Sequence, residues 1–480
     1  MAAAPPSTLY KHATIITVNQ EREIILDGAI LVTGSRIALI DKTQAVLKHP
    51  SLPPDVRSVD LSGKIVIPGL INTHCHTVQS LLRGLAEDLW LHPWMCDAIW
   101  PLEASYDAED GYHAARLTVA ECLKAGTTCF LEVMLTHRAG FENVVRAVGE
   151  AGIRACLGKL VKSQETNPSV NISDARDKDL AHMSIASALA AHSAHHGSFN
   201  NRVHVWMAAG TPRGSPLAEH RAIGDACRAH GIGLTMHCAE ASRDHEIYRT
   251  HYSSTPVEFC QDAHLTGPRT VLAHMVHLDV EKDVPLLRDT RTHVAHNPTS
   301  NCKLASGVAK VPELLEAGVN VCLGTDGAPC NNTYDMFREM HLASILQAGT
   351  RQQAGALPAT TVLEMATLNG AKALGLDGEV GSLELGKKAD FVVLGVPLSG
   401  APFEEAQVFD GGIDPVSVVV HSCTAADVEM VVVDGARVVE KGELVTMNEE
   451  EVVHNAREAI KGIRNRAGVK ARQREGWAVR

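Results

Sequence analysis

Six residues have the types and spacing to hold a metal and move protons. His74-Cys75-His76 closes a strand-like apolar run, and His237-Cys238-Ala239-Glu240 closes another. His274 ends a third run, and Asp326, within Gly324-Thr325-Asp326-Gly327, ends a fourth. Residues i and i+2 of an extended strand point to the same side, so His74 and His76 can reach one ion together. With His237 and Asp326 they make three imidazoles and one carboxylate. That set suits zinc, iron or another first-row divalent ion and leaves room for a water. The chain has 25 histidines, so one at a strand end carries little weight. Four matching positions on three separate runs carry far more.

Residues so far apart in sequence need a scaffold that gathers strand ends on one rim. Strand-like runs fall at Lys64–Asn72, Thr127–Met134, Arg154–Val161, Val203–Ala209, Gly233–His237, Val271–His274, His293–His296 and Val319–Gly324. Helix-like stretches alternate with them, among them Ala108–Ala125, Ala139–Ala151, Ala181–Ala191 and Pro216–His230. Eight such units predict an α/β fold, a TIM-like (β/α)8 barrel, whose chemistry sits at the C-terminal ends of the strands. Both chain ends read differently. Thr14–Val18, Ala29–Val32 and Arg36–Ile40 are short β-rich runs, and Ala389–Leu394, Val416–His421, Val428–Val433 and Ala436–Lys441 repeat the pattern, with an Asp-Gly turn at 434–435. The expected layout is a small β-sandwich domain from residues 1–66 and 380–447, the barrel at 67–379, and a helical tail at 448–480.

Composition narrows the partners. The chain has 480 residues, 45% apolar and 21% charged, with a formal net charge of −12. Such acidity disfavours a nucleic-acid backbone. No apolar run of about 18 residues is present, so no membrane helix is expected. The opening MAAAPPSTLYKHATIITV lacks a basic region followed by an apolar core, which speaks against a secretory signal. Twelve cysteines without a Cys-x-x-Cys pair fit a reducing compartment, and a cytoplasmic location is expected. Glu449–Glu451 and the basic stretch Lys461–Arg474 read as solvated faces of a C-terminal helix.

PGLINTHCH (68–76), TMHCAE (235–240), LAHMVHL (272–278), HNPTSNCKLASG (296–307) and LGTDG (323–327) together resemble the amidohydrolase superfamily. The motifs come in barrel order and span nearly the whole chain. LLRGLAEDLWLHPWMCDAIWPLE (81–103) is similar to the branch of S-adenosylhomocysteine/5′-methylthioadenosine deaminases and s-triazine hydrolases. The resemblance implies that His74, His76, His237 and Asp326 bind one divalent ion, zinc first and ferrous iron second. It implies that Asp326 takes a proton from the bound water, that Glu240 shuttles it to a ring nitrogen, and that His274 orients the attacking water. A single ion is implied, because Val203-His204-Val205-Trp206 offers no bridging lysine. The implied reaction is hydrolytic deamination of an amino-substituted N-heterocycle, by attack of metal-bound hydroxide and release of ammonia. A metal lowers the pKa of water from about 15.7 toward 7, and a protonated carboxyl makes the ring carbon electrophilic.

Substrate contacts are expected at Glu103, Trp100, Lys159, Arg213, His296 and Asn301. Trp90, Trp94 and Trp100 crowd one stretch that can wall a planar ring. Glu103 aligns by spacing with a carboxylate that grips ribose hydroxyls in the similar deaminases. His296 and Asn301 either line the pocket or hold the loops after strands seven and eight. Two departures bear on specificity. Lys159 stands where the branch carries Arg, and Ala209-Gly210-Thr211-Pro212-Arg213 replaces a Pro-His-x-Pro element. Arginine makes planar bidentate contacts that lysine cannot. Adenosine-type nucleosides are the leading substrates. Guanine, pterin or s-triazine compounds are the alternative, and a catalytically dead barrel scaffold is the alternative outside enzymes. Relatives commonly form dimers, so a homodimer or higher homo-oligomer is expected, as analogy alone.

Overall fold

A computed structural model describes residues 6–164, 172–213, 216–401 and 412–468. Eight parallel strands form the barrel: Leu70–Cys75, Thr127–Leu135, Arg154–Val161, Val203–Ala209, Leu234–Cys238, Thr270–His274, His293–His296 and Val321–Leu323. These are its first to eighth strands. Their near-continuous burial is what a parallel sheet covered on both faces requires. Helices such as Ala108–Lys124, Phe141–Ala151, Leu217–His230 and Met336–Arg351 cover the outside. The barrel closes where the eighth strand meets the first. The Asp326 amide donates to the His74 carbonyl at 2.8 Å, and Thr73 Oγ1 donates to the Leu323 carbonyl at 2.8 Å.

Gly324 makes this closure possible. A Cβ there would stand 2.5 Å from the His74 Cβ and 2.8 Å from its backbone nitrogen. The glycine of LGTDG thus lets the last strand approach the first at the level of the site.

The chain ends build a nine-stranded mixed sheet around its own core, which includes Tyr10, Ile30, Val32, Val66, Phe391 and Val432. Its seam is the antiparallel pairing of Phe391–Gly395 with Lys64–Pro68, which joins the two ends of the chain. Arg154, at the start of the third strand, meets Asp390 in a buried ion pair, with contacts of 3.0 and 3.2 Å. The mixed sheet therefore braces the N-terminal end of the barrel, opposite the rim that carries the site. Asp434 and Gly435 both have positive φ, 51° and 80°, as a two-residue hairpin turn of the expected Asp-Gly kind needs.

Two expectations change. The run Lys64–Asn72 splits: Lys64–Pro68 belongs to the mixed sheet, and the barrel strand starts at Leu70. Val416–His421, expected as a strand, lies in the helix Pro415–His421. Asp414 caps it by accepting from the Val416 amide, Pro415 occupies its first turn, and Val416, Val418, Val419 and Val420 are buried. A cap, an N1 proline and burial on one side outweigh valine's preference for strands. The late helix Glu449–Ala467 is docked as well as solvated. Glu451 pairs with Arg116 at 2.8 Å, Glu449 with Lys124 at 2.5 Å, and Ile463 is buried. Among the described residues no helix is long and apolar enough to cross a membrane.

Candidate active site and metal centre

The site lies at the C-terminal rim of the barrel. His74 is inside the first strand and His76 just beyond it, His237 is in the fifth, and Asp326 follows the eighth. Their ligand atoms gather within 4.8 Å of one another. Asp326 Oδ1 stands 3.4 Å from His74 Nε2 and 3.2 Å from His76 Nε2, and the Nε2 atoms of His76 and His237 face each other at 3.1 Å. Both ring nitrogens of His74 are buried without a hydrogen-bond partner. Orphaned buried nitrogens aimed at one carboxylate oxygen are stabilised by a cation between them. Protonation fits the same role. Burial lowers His74 to about 4 and His237 well below its ordinary value, so both present lone pairs. Burial would raise Asp326, but the His74 and His76 contacts hold it well below the usual carboxylate range, ionised. The donor set fits a divalent ion.

Two further groups stand beside the cluster. Glu240, two residues past the fifth strand, is buried, and burial lifts its carboxyl to about 7. It can therefore exist as an acid or as a carboxylate near neutral pH. His274 ends the sixth strand, with Nδ1 3.9 Å from Glu240 Oε1 and Nε2 3.9 Å from Asp326 Oδ2. Ala239, His274 and Asp326 all have positive φ, 50°, 74° and 63°. Non-glycine residues seldom adopt this region, and such strain persists only where surroundings impose it, commonly at functional sites. Ser300 Oγ donates to Asp326 Oδ2 at 2.6 Å, and Asn301 Oδ1 lies 2.8 Å from His274 Nδ1. His277 braces the rim through the Ser306 carbonyl at 2.7 Å.

A cleft opens over these groups, lined on one side by His76, His237, Glu240 and Asp326. Trp94, Trp100, Met95 and Leu160 supply apolar wall, and Gln79, Lys162, Arg176 and Arg213 supply polar groups. Of the residues expected to touch substrate, Trp100 and Arg213 line the cleft. Arg213 is tied to Asp244 at 3.1 Å and to Thr211. Glu103 lies one layer behind, accepting from Gln79 Nε2 at 2.8 Å and from Arg176 Nη1 at 2.9 Å. His296 is fully buried outside the lining, and Asn301 serves His274. Lys159 is corrected by the structure. Alternate residues of the third strand face opposite ways, and Lys159 lies 5.4 Å from the Phe141 ring on the helix side, whereas Leu160 and Lys162 face the cleft. Trp90 is 70% exposed and takes no part. Sequence reasoning missed Arg176, whose guanidinium stacks 4.5 Å from the Trp100 ring. It lies in the first turn of a 3-10 helix, Ala175–His182, capped by Asp174, which carries no apolar period to mark it. Strand parity could have found Lys162.

The amidohydrolase family model matches residues 65–445. The chain is 35% identical over 456 residues to the 5-methylthioadenosine/S-adenosylhomocysteine deaminase of Acetivibrio thermocellus, covering 95% of this chain and 99% of that one. It is 37% identical over 439 residues to the 5′-deoxyadenosine deaminase of Methanothermobacter thermautotrophicus, covering 90% and 94%. Among solved structures it is similar to an adenosine deaminase from Xanthomonas campestris with bound zinc, at 28% identity and a TM-score of 0.85, covering 96% and 99%. The chain belongs to the amidohydrolase family. It is a hydrolytic deaminase that acts on C–N bonds other than peptide bonds.

Proposed function

We propose that this chain deaminates adenosine-type nucleosides, with S-adenosylhomocysteine and 5′-methylthioadenosine as the leading substrates. The observation that carries the reading is Glu240, a buried carboxyl poised near pH 7, beside a four-ligand cluster and open to a tryptophan-walled cleft. The relatives named above, deaminases of such nucleosides, support the substrate class.

His74, His76, His237 and Asp326 would hold the ion, zinc in the first instance and ferrous iron in the second. A divalent cation held there supplies water acidic enough to ionise near neutral pH. The chain's residues do the rest. Asp326 accepts the water's proton, and His274 orients the nucleophile. Glu240 donates a proton to the ring nitrogen next to the amino-bearing carbon, which makes that carbon electrophilic. The new C–O bond forms as the ring nitrogen takes its proton; the C–N bond then breaks as Asp326 passes its proton to the amino nitrogen and Glu240 takes the proton of the new hydroxyl, and ammonia leaves. Trp94 and Trp100 offer faces against which a planar base can stack. Burial favours the protonated form of the Glu240 carboxyl, so that it can act as the acid.

One observation favours a second substrate class. Both Glu103 oxygens are already engaged by Gln79 and Arg176, so its carboxylate is not free as a ribose grip would want it. A free base of the guanine or pterin kind, or an s-triazine, does not need that grip. Retention of every ligand and of Glu240 argues against a dead scaffold. A reducing, cytoplasmic setting fits twelve cysteines that are all free, and a homodimer or higher homo-oligomer is proposed by analogy alone. Ammonia release from the metal-loaded enzyme should be measured with adenosine, methylthioadenosine, S-adenosylhomocysteine, adenine, guanine, a pterin and melamine. Turnover confined to the nucleosides is the expected result. Turnover confined to free bases or melamine would transfer the assignment to the second class.

A further inference from the structure

The proton-handling groups, His274 and Asp326, sit at the ends of the sixth and eighth strands, and one short turn lies between them. After the seventh strand the chain makes a single helical turn, Pro298–Lys303. It is anchored from behind by the Thr299 amide, which donates to Glu339 Oε2 at 3.1 Å, and by the Ser306 amide, which donates to the Asn301 carbonyl at 2.8 Å. Successive residues of a helix project about 100° apart. Ser300 and Asn301 therefore reach in different directions, Ser300 to Asp326 and Asn301 to His274.

We propose that this turn is a positioning element, in which Asn301 fixes the tautomer of His274 and Ser300 fixes the outer oxygen of Asp326. The inference rests on the hydrolytic reading of the site and on no particular substrate. In a neutral imidazole one nitrogen carries the proton and the other accepts. Asn301 Oδ1 lies 2.8 Å from His274 Nδ1, closer than the Asn297 amide nitrogen, which is 3.3 Å from Nδ1 and 3.5 Å from Nε2, and this shorter contact selects the ring with its proton on Nδ1. The bare nitrogen is then Nε2, which faces Asp326 Oδ2 at 3.9 Å. His274 so oriented accepts from the nucleophile's O–H. The opposite tautomer would aim an N–H at Asp326 Oδ2 and leave the ring no acceptor for the nucleophile's O–H. Ser300 completes the division. Its hydroxyl binds Asp326 Oδ2 at 2.6 Å, which leaves Oδ1 turned toward His74 and His76. Asn301, expected from sequence to line the pocket or hold a loop, thus acts through His274, and Ser300 carried no sequence signal at all.

The test compares wild type with Asn301→Leu, Asn301→Asp and Ser300→Ala as full-length, metal-loaded proteins. Four quantities are read: metal stoichiometry, kcat and KM on whichever panel compound turns over, and the nitrogen-15 signals of the His274 ring, assigned by their loss in His274→Gln. Partners of this kind typically change activity ~10–100-fold. Asn301→Leu should lower kcat by that factor, leave KM within ~3-fold and metal content unchanged, and move the ring from the Nδ1–H form. Asn301→Asp retains the acceptor and should restore both the ring signature and most of kcat. Ser300→Ala should lower kcat by ~10-fold with the metal retained. A ring signature unmoved by Asn301→Leu would overturn the proposal. So would an Asn301→Asp ring that matches Asn301→Leu, or loss of metal from these variants, which would assign the turn to ion holding. The ring signals need no turnover, so a silent substrate panel would count against the proposed substrate and leave this inference to its own result.

Discussion

At the scale of single residues, Glu240, as the proposed acid, would set the pH range in which the enzyme works. Burial raises its carboxyl from the ordinary 4.5 to about 7, so the acid form fills below that pH and empties as pH rises through it. If the acid form starts the reaction, kcat/KM should fall above about pH 7, and a pH–rate profile that stays flat from about pH 6 to 9 would remove Glu240 as the acid. Glu240→Gln should keep its metal and lose ~10²–10⁴-fold in kcat, read by metal analysis beside ammonia release. Much of this site was legible in the sequence, because strand geometry limits which side chains share a rim. His74 and His76 are two apart, and Glu240 follows His237 by three. The substrate wall was less legible. Lys159 and Lys162 are both lysines near one strand end, and only the strand's parity separates the one against Phe141 from the one in the cleft.

Elements show where local preference yields to context. Val416–Val420 has the residues of a strand, yet Asp414 and Pro415 begin a helix whose valines are buried against the outer helices of the barrel. Valine composition alone could not reveal this, because the cap and the burying surface set the outcome. The hairpin at Asp434-Gly435 is the opposite case, where the backbone demand is written in two residues. Gly435 has φ of 80°, and a Cβ there would lie 2.1 Å from the Gly34 carbonyl oxygen. Gly435→Ala should therefore destabilise the protein by at least about 1–2 kcal/mol, the cost of a left-handed residue with a side chain. Urea denaturation would measure it, and an unchanged midpoint would mean that the turn relaxes at no cost.

At the scale of the whole molecule, the mixed sheet and the barrel are joined through the Arg154–Asp390 pair, both partners being buried. Removing one partner of such a pair leaves an uncompensated charge, which typically costs about 3–5 kcal/mol. Arg154→Met should lower the melting temperature markedly. At a temperature where the variant is still folded, kcat should barely change, since Arg154 lies at the end of the barrel away from the ligands. A large loss of kcat in the folded variant would show that the brace reaches the site. That the two chain ends share a sheet was legible from matching β-rich runs, but the pair that fastens it to the barrel was not, because only the fold brings residues 154 and 390 together. The closing of the barrel has a consequence for how the protein is made. Asn72 and Thr325, 253 residues apart in the chain, are bonded at the seam, and the proposed ligands His74 and Asp326 sit beside it. Contacts of such separation form late, because the entropy of closing a long loop must be met first. A chain whose eighth strand has not yet emerged lacks Asp326, so the four-residue cluster exists only once the barrel has closed.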